Sequence, residues 1–273
     1  MRQVWATKHR PSTLDDFVGQ EHMIDEFRRI VSDNNGMQHY IFYSPEAGTG
    51  KTSLAHILAN QLGYTIHMYN ASSKRQRGID FIEDEIGPMA RLGQWETIFF
   101  LDEADQLTDA AQSALKGVIE GAQGYFILTC NDLTKLSPWL QSRCQVRTFE
   151  PIGDSEMFYR LHQVDGREGF FTNNDDLDKI IGANKGDLRN AINTLQAYHT
   201  MPEETRQQFL LSISEPEVDA AKILTLCIKE KQVEEAVKCM GTPVNLRKTI
   251  DAVFDYGINS PAKPRSKLLL VDA

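Results

Sequence analysis

The run Ser44-Pro45-Glu46-Ala47-Gly48-Thr49-Gly50-Lys51-Thr52 sets two glycines, a lysine and a hydroxyl side by side. Glycines let a backbone turn its N–H groups inward around an anion, and a helix starting at the end of the loop adds partial positive charge on the same axis. A triphosphate fits such a nest. Glu46, Ala47, Gly48, Thr49 and Gly50 would line it, with Ser53 in the first helical turn. Lys51 would reach the β- and γ-phosphates as a point charge, and the Thr52 hydroxyl would complete the coordination of a magnesium ion. Pro45 stands where such loops usually carry their first glycine. Proline holds the turn entry at negative φ, so the expectation is a stiffer loop rather than a lost site. Taken alone, the run also reads as a glycine turn with no ligand.

A second constellation lies downstream. Thr97-Ile98-Phe99-Phe100-Leu101 is a continuous apolar run, as expected of a strand covered on both faces, and it ends in Asp102-Glu103-Ala104-Asp105. Ligand chemistry in open α/β sheets sits at the carboxyl ends of strands. Asp102 would hold the hydrated magnesium, Glu103 would polarise an attacking water, and Asp105 reads as a local hydrogen-bonding residue of the turn. Phe126-Ile127-Leu128-Thr129-Cys130 is a similar run ending in Asn131-Asp132. Its amide could orient the hydrolytic water against a γ-phosphate, or the pair could be a plain turn. Arg143, in Ser142-Arg143-Cys144, means little alone and reads as an exposed, solvated charge.

Those residues need a scaffold. At 273 residues the chain exceeds what one core usually holds, and its 41% apolar and 25% charged residues mark it as globular. The net charge of −9 argues against a nonspecific nucleic-acid coat, which draws affinity from phosphate neutralisation, but allows a local basic strip. No apolar stretch is long enough to span a bilayer, and the first ten residues lack a signal-peptide core, so we expect a cytoplasmic protein with no membrane partner. Cys130, Cys144, Cys227 and Cys239 have no CxxC spacing and read as reduced thiols.

Periodicity supplies the elements. Thr13–Phe17 and Gln20–Ile30 read as helical, followed by strand 40–43, helix 51–62, strand 64–70, helix 79–91, strand 97–101, helix 109–120, strand 125–130, helix 138–142 and strand 145–149. Strands alternating with helices imply an α/β fold with a parallel sheet. Beyond Glu150-Pro151 only helical spacing appears, over 154–164, 175–183, 187–199, 203–213, 216–229, 231–239 and 245–256. Expected domains are therefore a core at 1–150, a small helical domain at 151–201 and a helical tail at 202–273. The terminal run Leu268-Leu269-Leu270-Val271 either packs on another subunit or ends partway through a helix of a longer protein.

Together these pieces resemble the AAA+ ATPases, and Ser142-Arg143-Cys144 resembles the small subunits of sliding-clamp loaders. Lys8-His9-Arg10-Pro11 and Val18-Gly19-Gln20 are similar to the family's entry motifs beside the adenine, which places Arg10, Pro11 and Val18 at the base. Asn70-Ala71-Ser72, Arg77-Gly78-Ile79-Asp80 and Gly186-Asp187-Leu188-Arg189 also match, the last as a second sensor. The serine-proline opening of the phosphate loop is more like the loaders of tailed phages. The resemblance covers about residues 4 to 200.

It implies an ATPase that uses ATP and Mg2+ in a homo- or hetero-oligomeric ring with other clamp-loader subunits, a sliding clamp and primer–template DNA, with 1–150 as the nucleotide-binding core, 151–201 as a helical lid and 202–273 as a helical, collar-type oligomerisation region. Arg143 would act in trans as an arginine finger on the neighbour's nucleotide, and Arg189 would touch the γ-phosphate of its own subunit. Lys74, Arg75, Arg77 and Gly78, at the start of a helix, with Lys116 beyond, would grip DNA phosphates, though Lys74-Arg75-Gln76-Arg77 could equally be a solvated basic loop. Ile82, Ile86 and Met89 lie where such loaders face the clamp, while their helical spacing reads as core. The alternatives are another AAA+ motor, such as a branch-migration helicase, and a clamp-loader scaffold that binds nucleotide without hydrolysis.

Overall fold

The computed structural model describes residues 3–213 apart from position 94. The chain divides into two compact units, Met1–Leu210 and Leu211–Ala273, and the sheet with its flanking helices belongs to the first. The expected helices 216–229, 231–239 and 245–256, Cys227, Cys239 and the run 268–271 lie outside the described residues.

The strands are β1 (Tyr40–Tyr43), β2 (Thr65–Asn70), β3 (Thr97–Asp102), β4 (Tyr125–Cys130) and β5 (Gln145–Thr148), of which β1, β3 and β4 are short apolar runs. They form one sheet in the order β2-β3-β4-β1-β5, every pairing parallel. All carboxyl ends therefore share one edge, which is where the acidic and amide tips of β3 and β4 must meet the loop after β1.

Strand side chains alternate between faces, and each face has its own core. On one face Tyr40, Phe42, Ile98, Phe100 and Ile127 pack with Phe27 and Leu54 from α2 (Glu21–Asp33) and α3 (Lys51–Leu62). On the other, Ile41, Phe99, Leu101, Phe126 and Leu128 pack with Ile82, Leu115 and Leu140. Those three come from the helical segment after β2, α5 (Asp109–Glu120) and α6 (Pro138–Arg143). Each buried Phe or Leu contributes about 1.5–3 kcal/mol of transfer free energy, so the central strands anchor the tips rigidly.

The segment after β2 opens as a π turn, Phe81–Ile86, in which the Gly87 N–H donates five residues back to the Ile82 carbonyl, and continues as α4 (Gly87–Leu92). Helices α7 (Asp154–Arg167), α8 (Asn174–Asn184), α9 (Leu188–Thr200) and α10 (Glu203–Ile213) follow the sheet. Near the start of the chain stands α1 (Trp5–Lys8), a turn that periodicity does not indicate.

One expected element is absent. Thr13–Phe17 is not a helix but a turn, because Thr13 Oγ1 accepts the Asp16 N–H at 3.2 Å and donates to Asp16 Oδ2 at 3.1 Å. Such side-chain bonds offer the backbone an alternative to helix.

Candidate functional site

The loop after β1 has the conformation that its glycines permit. Gly48 and Gly50 sit at φ of +72° and +102°, and a β-carbon at Gly50 would lie 2.5 Å from the Phe17 ring. Pro45 is accommodated in a trans chain, and the neighbouring Ser44 Oγ accepts the Glu46 N–H at 3.3 Å, bracing the entry. Gly50 is the N-cap of α3, so Lys51, Thr52 and Ser53 form its first turn at the positive end of the helix. Thr49 is buried, and its hydroxyl has no hydrogen-bond partner. A buried polar atom without a partner marks a place where a ligand group would be satisfied.

Lys51 bridges the loop and the sheet edge. Its Nζ donates to the carbonyls of Ser44 at 3.3 Å and Glu46 at 2.9 Å, and to Asn131 Oδ1 at 2.9 Å. Burial holds the amine below the usual lysine range, opposed by the Cys130 and Asp102 side chains. At the tip of β3, Asp102 Oδ1 accepts the Thr129 hydroxyl at 2.6 Å. Glu103 follows in left-handed backbone, φ +54°, its N–H donating to the same hydroxyl at 2.9 Å. Asp105 makes a local bond as expected, its Oδ2 accepting from the Gln106 side-chain amide at 3.3 Å, but the residue is buried and its Oδ1 has no partner. Burial pushes the Cys130 thiol beneath this edge up to about 12, which makes it inert.

A cleft opens beside the loop, lined by Arg10, Pro11, Phe17 and Val18 from the N-terminal arm, Gly48, Thr49, Gly50 and Ser53, and Arg189. The structure thus brings Arg10, Pro11 and Val18 together with Gly48, Thr49, Gly50 and Ser53 at one cavity, with Arg189 reaching it from α9, while Glu46, Ala47, Lys51 and Thr52 do not line it. Asp187, the N-cap of α9, rests its carboxylate against Gly48.

Two further side chains hold main-chain atoms: Arg160, which no motif marks, and Gln20, the last residue of Val18-Gly19-Gln20. Arg160 of α7 is buried in the cleft wall, donating to the His9 carbonyl at 2.6 Å and Gln163 Oε1 at 3.1 Å. Gln20, left-handed at φ +65°, clasps the Glu150 main chain with both ends of its amide, at 2.6 and 3.0 Å. A buried arginine inside an amphipathic helix looks like a surface residue in sequence.

Arg143 stands apart from its own cleft. At the end of α6 it pairs with Glu120 at 3.0 Å and lies 5.6 Å over the Trp139 ring, its side chain half exposed. Lys74, Arg75 and Arg77 are exposed in the turn before the π segment, with Arg75 paired to Glu85 at 3.2 Å; Gly78 ends that turn. Lys116 is exposed on α5 over the other approach to Trp139. Ile82 and Ile86 belong to the core, as their spacing indicates, while Met89, Leu92 and Trp95 are exposed beside a groove lined by His67, Pro88 and Phe99.

Thr52 Oγ1 and Asp102 Oδ2 make no hydrogen bond among the described residues, and both are hard oxygen donors suited to Mg2+. Among the described residues no cluster of three His, Cys, Asp or Glu could cage a metal alone. Mg2+ is commonly held by one or two protein oxygens together with phosphate oxygens.

A phosphate cradle after an inner strand of a parallel sheet, with an amide and acids on the next two strand tips, defines an AAA-type ATPase core. Residues 40–152 match the family model "ATPase family associated with various cellular activities (AAA)". Curated relatives extend the match. The replication factor C small subunit of Natronomonas pharaonis is 35% identical over 221 residues, 78% of this chain and 67% of that protein. Those of Haloarcula marismortui and Halobacterium salinarum are 38% and 34% identical, aligned over 62% and 68% of their lengths. The chain belongs to the replication factor C small subunit family, the ATPase subunits of clamp loaders. It spans about two thirds of the length of these relatives. Among solved structures, RuvB of Thermotoga maritima superposes with a TM-score of 0.67 over 92% of this chain and 86% of that one at 18% identity, a likeness of fold alone.

Proposed function

We propose that the chain is an ATP-hydrolysing subunit of a sliding-clamp loader, working in the cytoplasm in an oligomer with other loader subunits to open the clamp and place it at primer–template junctions. The observation that carries this reading is Lys51, drawn to Asn131 across the cradle at 2.9 Å with Asp102 and Glu103 on the next strand tip. Glu46 to Ser53 would hold the triphosphate, with the base beside Arg10, Pro11 and Val18. A magnesium ion held by Thr52 and Asp102 would supply charge neutralisation at the β- and γ-phosphates. Glu103 would orient the water as base, and Asn131, released from Lys51, would aid it. Arg189 would report γ-phosphate to helices α7–α9, and Arg143 would complete the neighbour's site.

Division into a core at 1–150, a lid at 151–201 and a collar from 202 suits this cycle, because helices that carry Arg189 can close on the bound nucleotide. Lys74, Arg75, Arg77, the backbone at Gly78, and Lys116 would touch DNA phosphates rather than bases, as a loader that acts at any junction requires. The clamp face would be the exposed Met89, Leu92 and Trp95 rather than the buried Ile82 and Ile86.

ATP turnover of the assembled protein, measured with and without primed DNA and clamp, tests the reading. Stimulation by both is expected, with none in Lys51→Ala. Turnover indifferent to DNA and clamp would favour a different motor, and no turnover at all a scaffold.

A further inference from the structure

The ladder between β3 and β4 pairs Leu101 with Leu128, so the next residues outward, Asp102 and Thr129, meet at the tip of the sheet. Thr129 is only 2% exposed and is the polar residue in an otherwise apolar strand end. Its Oγ1 donates to Asp102 Oδ1 at 2.6 Å and accepts the Glu103 N–H at 2.9 Å. A hydroxyl carries one proton and two lone pairs, so both bonds form at once. Their directions are fixed as well: the Glu103 amide can only donate, which leaves the Thr129 proton for the carboxylate.

Strand packing does not account for this hydroxyl. Valine has the same shape and equal or better strand propensity, and would avoid burying a polar atom. What the hydroxyl supplies is two constraints. Glu103 is a non-glycine residue in left-handed backbone, a conformation that costs about 1–2 kcal/mol, and its N–H turns away from the β3 ladder toward Thr129. The same oxygen restrains the Asp102 carboxylate by one atom, leaving Oδ2 as its free acceptor.

We propose that Thr129 is a positioning residue for hydrolysis, fixing with one hydroxyl both the rotamer of the acid assigned to magnesium and the turn that presents the acid assigned to water. This rests on the proposed roles of Asp102 and Glu103. Buried behind the two acids, Thr129 would act through them. Groups that orient a metal ligand in this way alter metal affinity or activity by about 10–100-fold when removed.

The test is calorimetric titration of the full chain with ATP, with and without Mg2+, for wild type, Thr129→Val and Thr129→Ser. Thr129→Val should bind magnesium-free ATP as wild type does, while the affinity gained on adding Mg2+ shrinks by about tenfold. Thr129→Ser, which keeps the hydroxyl, should retain most of the gain. Should the valine variant not fold, Thr129→Ala is compared with Thr129→Ser in the same way. The proposal is overturned if the hydroxyl-less variant keeps the full gain, if serine loses as much as valine, or if magnesium-free binding falls equally, since that is a merely structural effect. Wild type showing no magnesium-dependent gain would instead overturn the metal reading itself, and this proposal with it.

Discussion

The carboxylate of Asp187 occupies the space that a β-carbon would need at Gly48. The same carboxylate caps α9, accepting the Asn190 N–H at 3.0 Å and the Asn190 side-chain amide at 2.7 Å. Helix α9 is thereby seated on the phosphate loop through one side chain, two residues before Arg189. Gly48→Ala should cost about 1–2 kcal/mol for left-handed backbone alone, plus the displacement of Asp187. Asp187→Ala should cost about 1 kcal/mol as a lost cap. Because the two sites touch, the double variant should lose less than the sum, by about 0.5 kcal/mol or more. Urea denaturation of the four proteins measures this; strict additivity would show that the contact carries no energy.

Where the sequence is legible, single-element physics suffices. β1, β3 and β4 are apolar runs because they are covered on both faces, and Gly48, Gly50 and Lys51 declare their chemistry by type and spacing. Arg10, Pro11 and Val18 carry no such signal alone and are placed only by resemblance, yet they line the cleft with the loop. What stays hidden depends on register or on long-range contact. Thr129 is one more strand residue until β3 pairs with β4, and the Gln20 grip on Glu150 spans 130 positions of sequence. The π turn at Phe81–Ile86 also escapes a 3.6-residue period, since Gly87 bonds five residues back ahead of Pro88, which has no N–H to offer. Thr13–Phe17 misleads in the opposite sense: apolar spacing suits a helix, but the Thr13–Asp16 hydrogen bonds close a turn first.

Arg143 is engaged within its own chain, by Glu120 at 3.0 Å and the face of Trp139 at 5.6 Å, and does not line its own cleft. An exposed pair of this kind contributes little to stability, about 0–1 kcal/mol, so the arginine is free to exchange partners at low cost. Arg143→Ala should leave ATP affinity of the isolated chain and its melting temperature nearly unchanged, and lower turnover of the assembly by about 1,000-fold. Equal turnover by the assembled variant and wild type would dismiss the trans role. A loss of the same size in isolated chains would place the arginine at its own nucleotide instead.

His39 gives the fold an acid sensitivity whose sign is fixed by one hydrogen bond. Its Nδ1 accepts the Phe126 N–H at 3.0 Å, possible only while that nitrogen is unprotonated, and its ring lies against Tyr125 and Phe126. Burial pushes its pKa below the ordinary histidine value. The unfolded chain therefore takes up this proton first on acidification. Stability contributed at this position is complete above a pH of about 6.5, is lost as pH falls from there through the folded value, and then levels off, at about 1.4 kcal/mol for each unit of depression. His39→Asn places a non-titrating acceptor where Nδ1 stood and should remove this component while leaving the carboxylate contributions common to both proteins. Denaturation midpoints of wild type and variant should differ by a constant above a pH of about 6.5, and toward a pH of about 5 the wild type should fall faster than the variant. Curves that stay parallel over that range would show that the imidazole keeps its solution pKa in the fold.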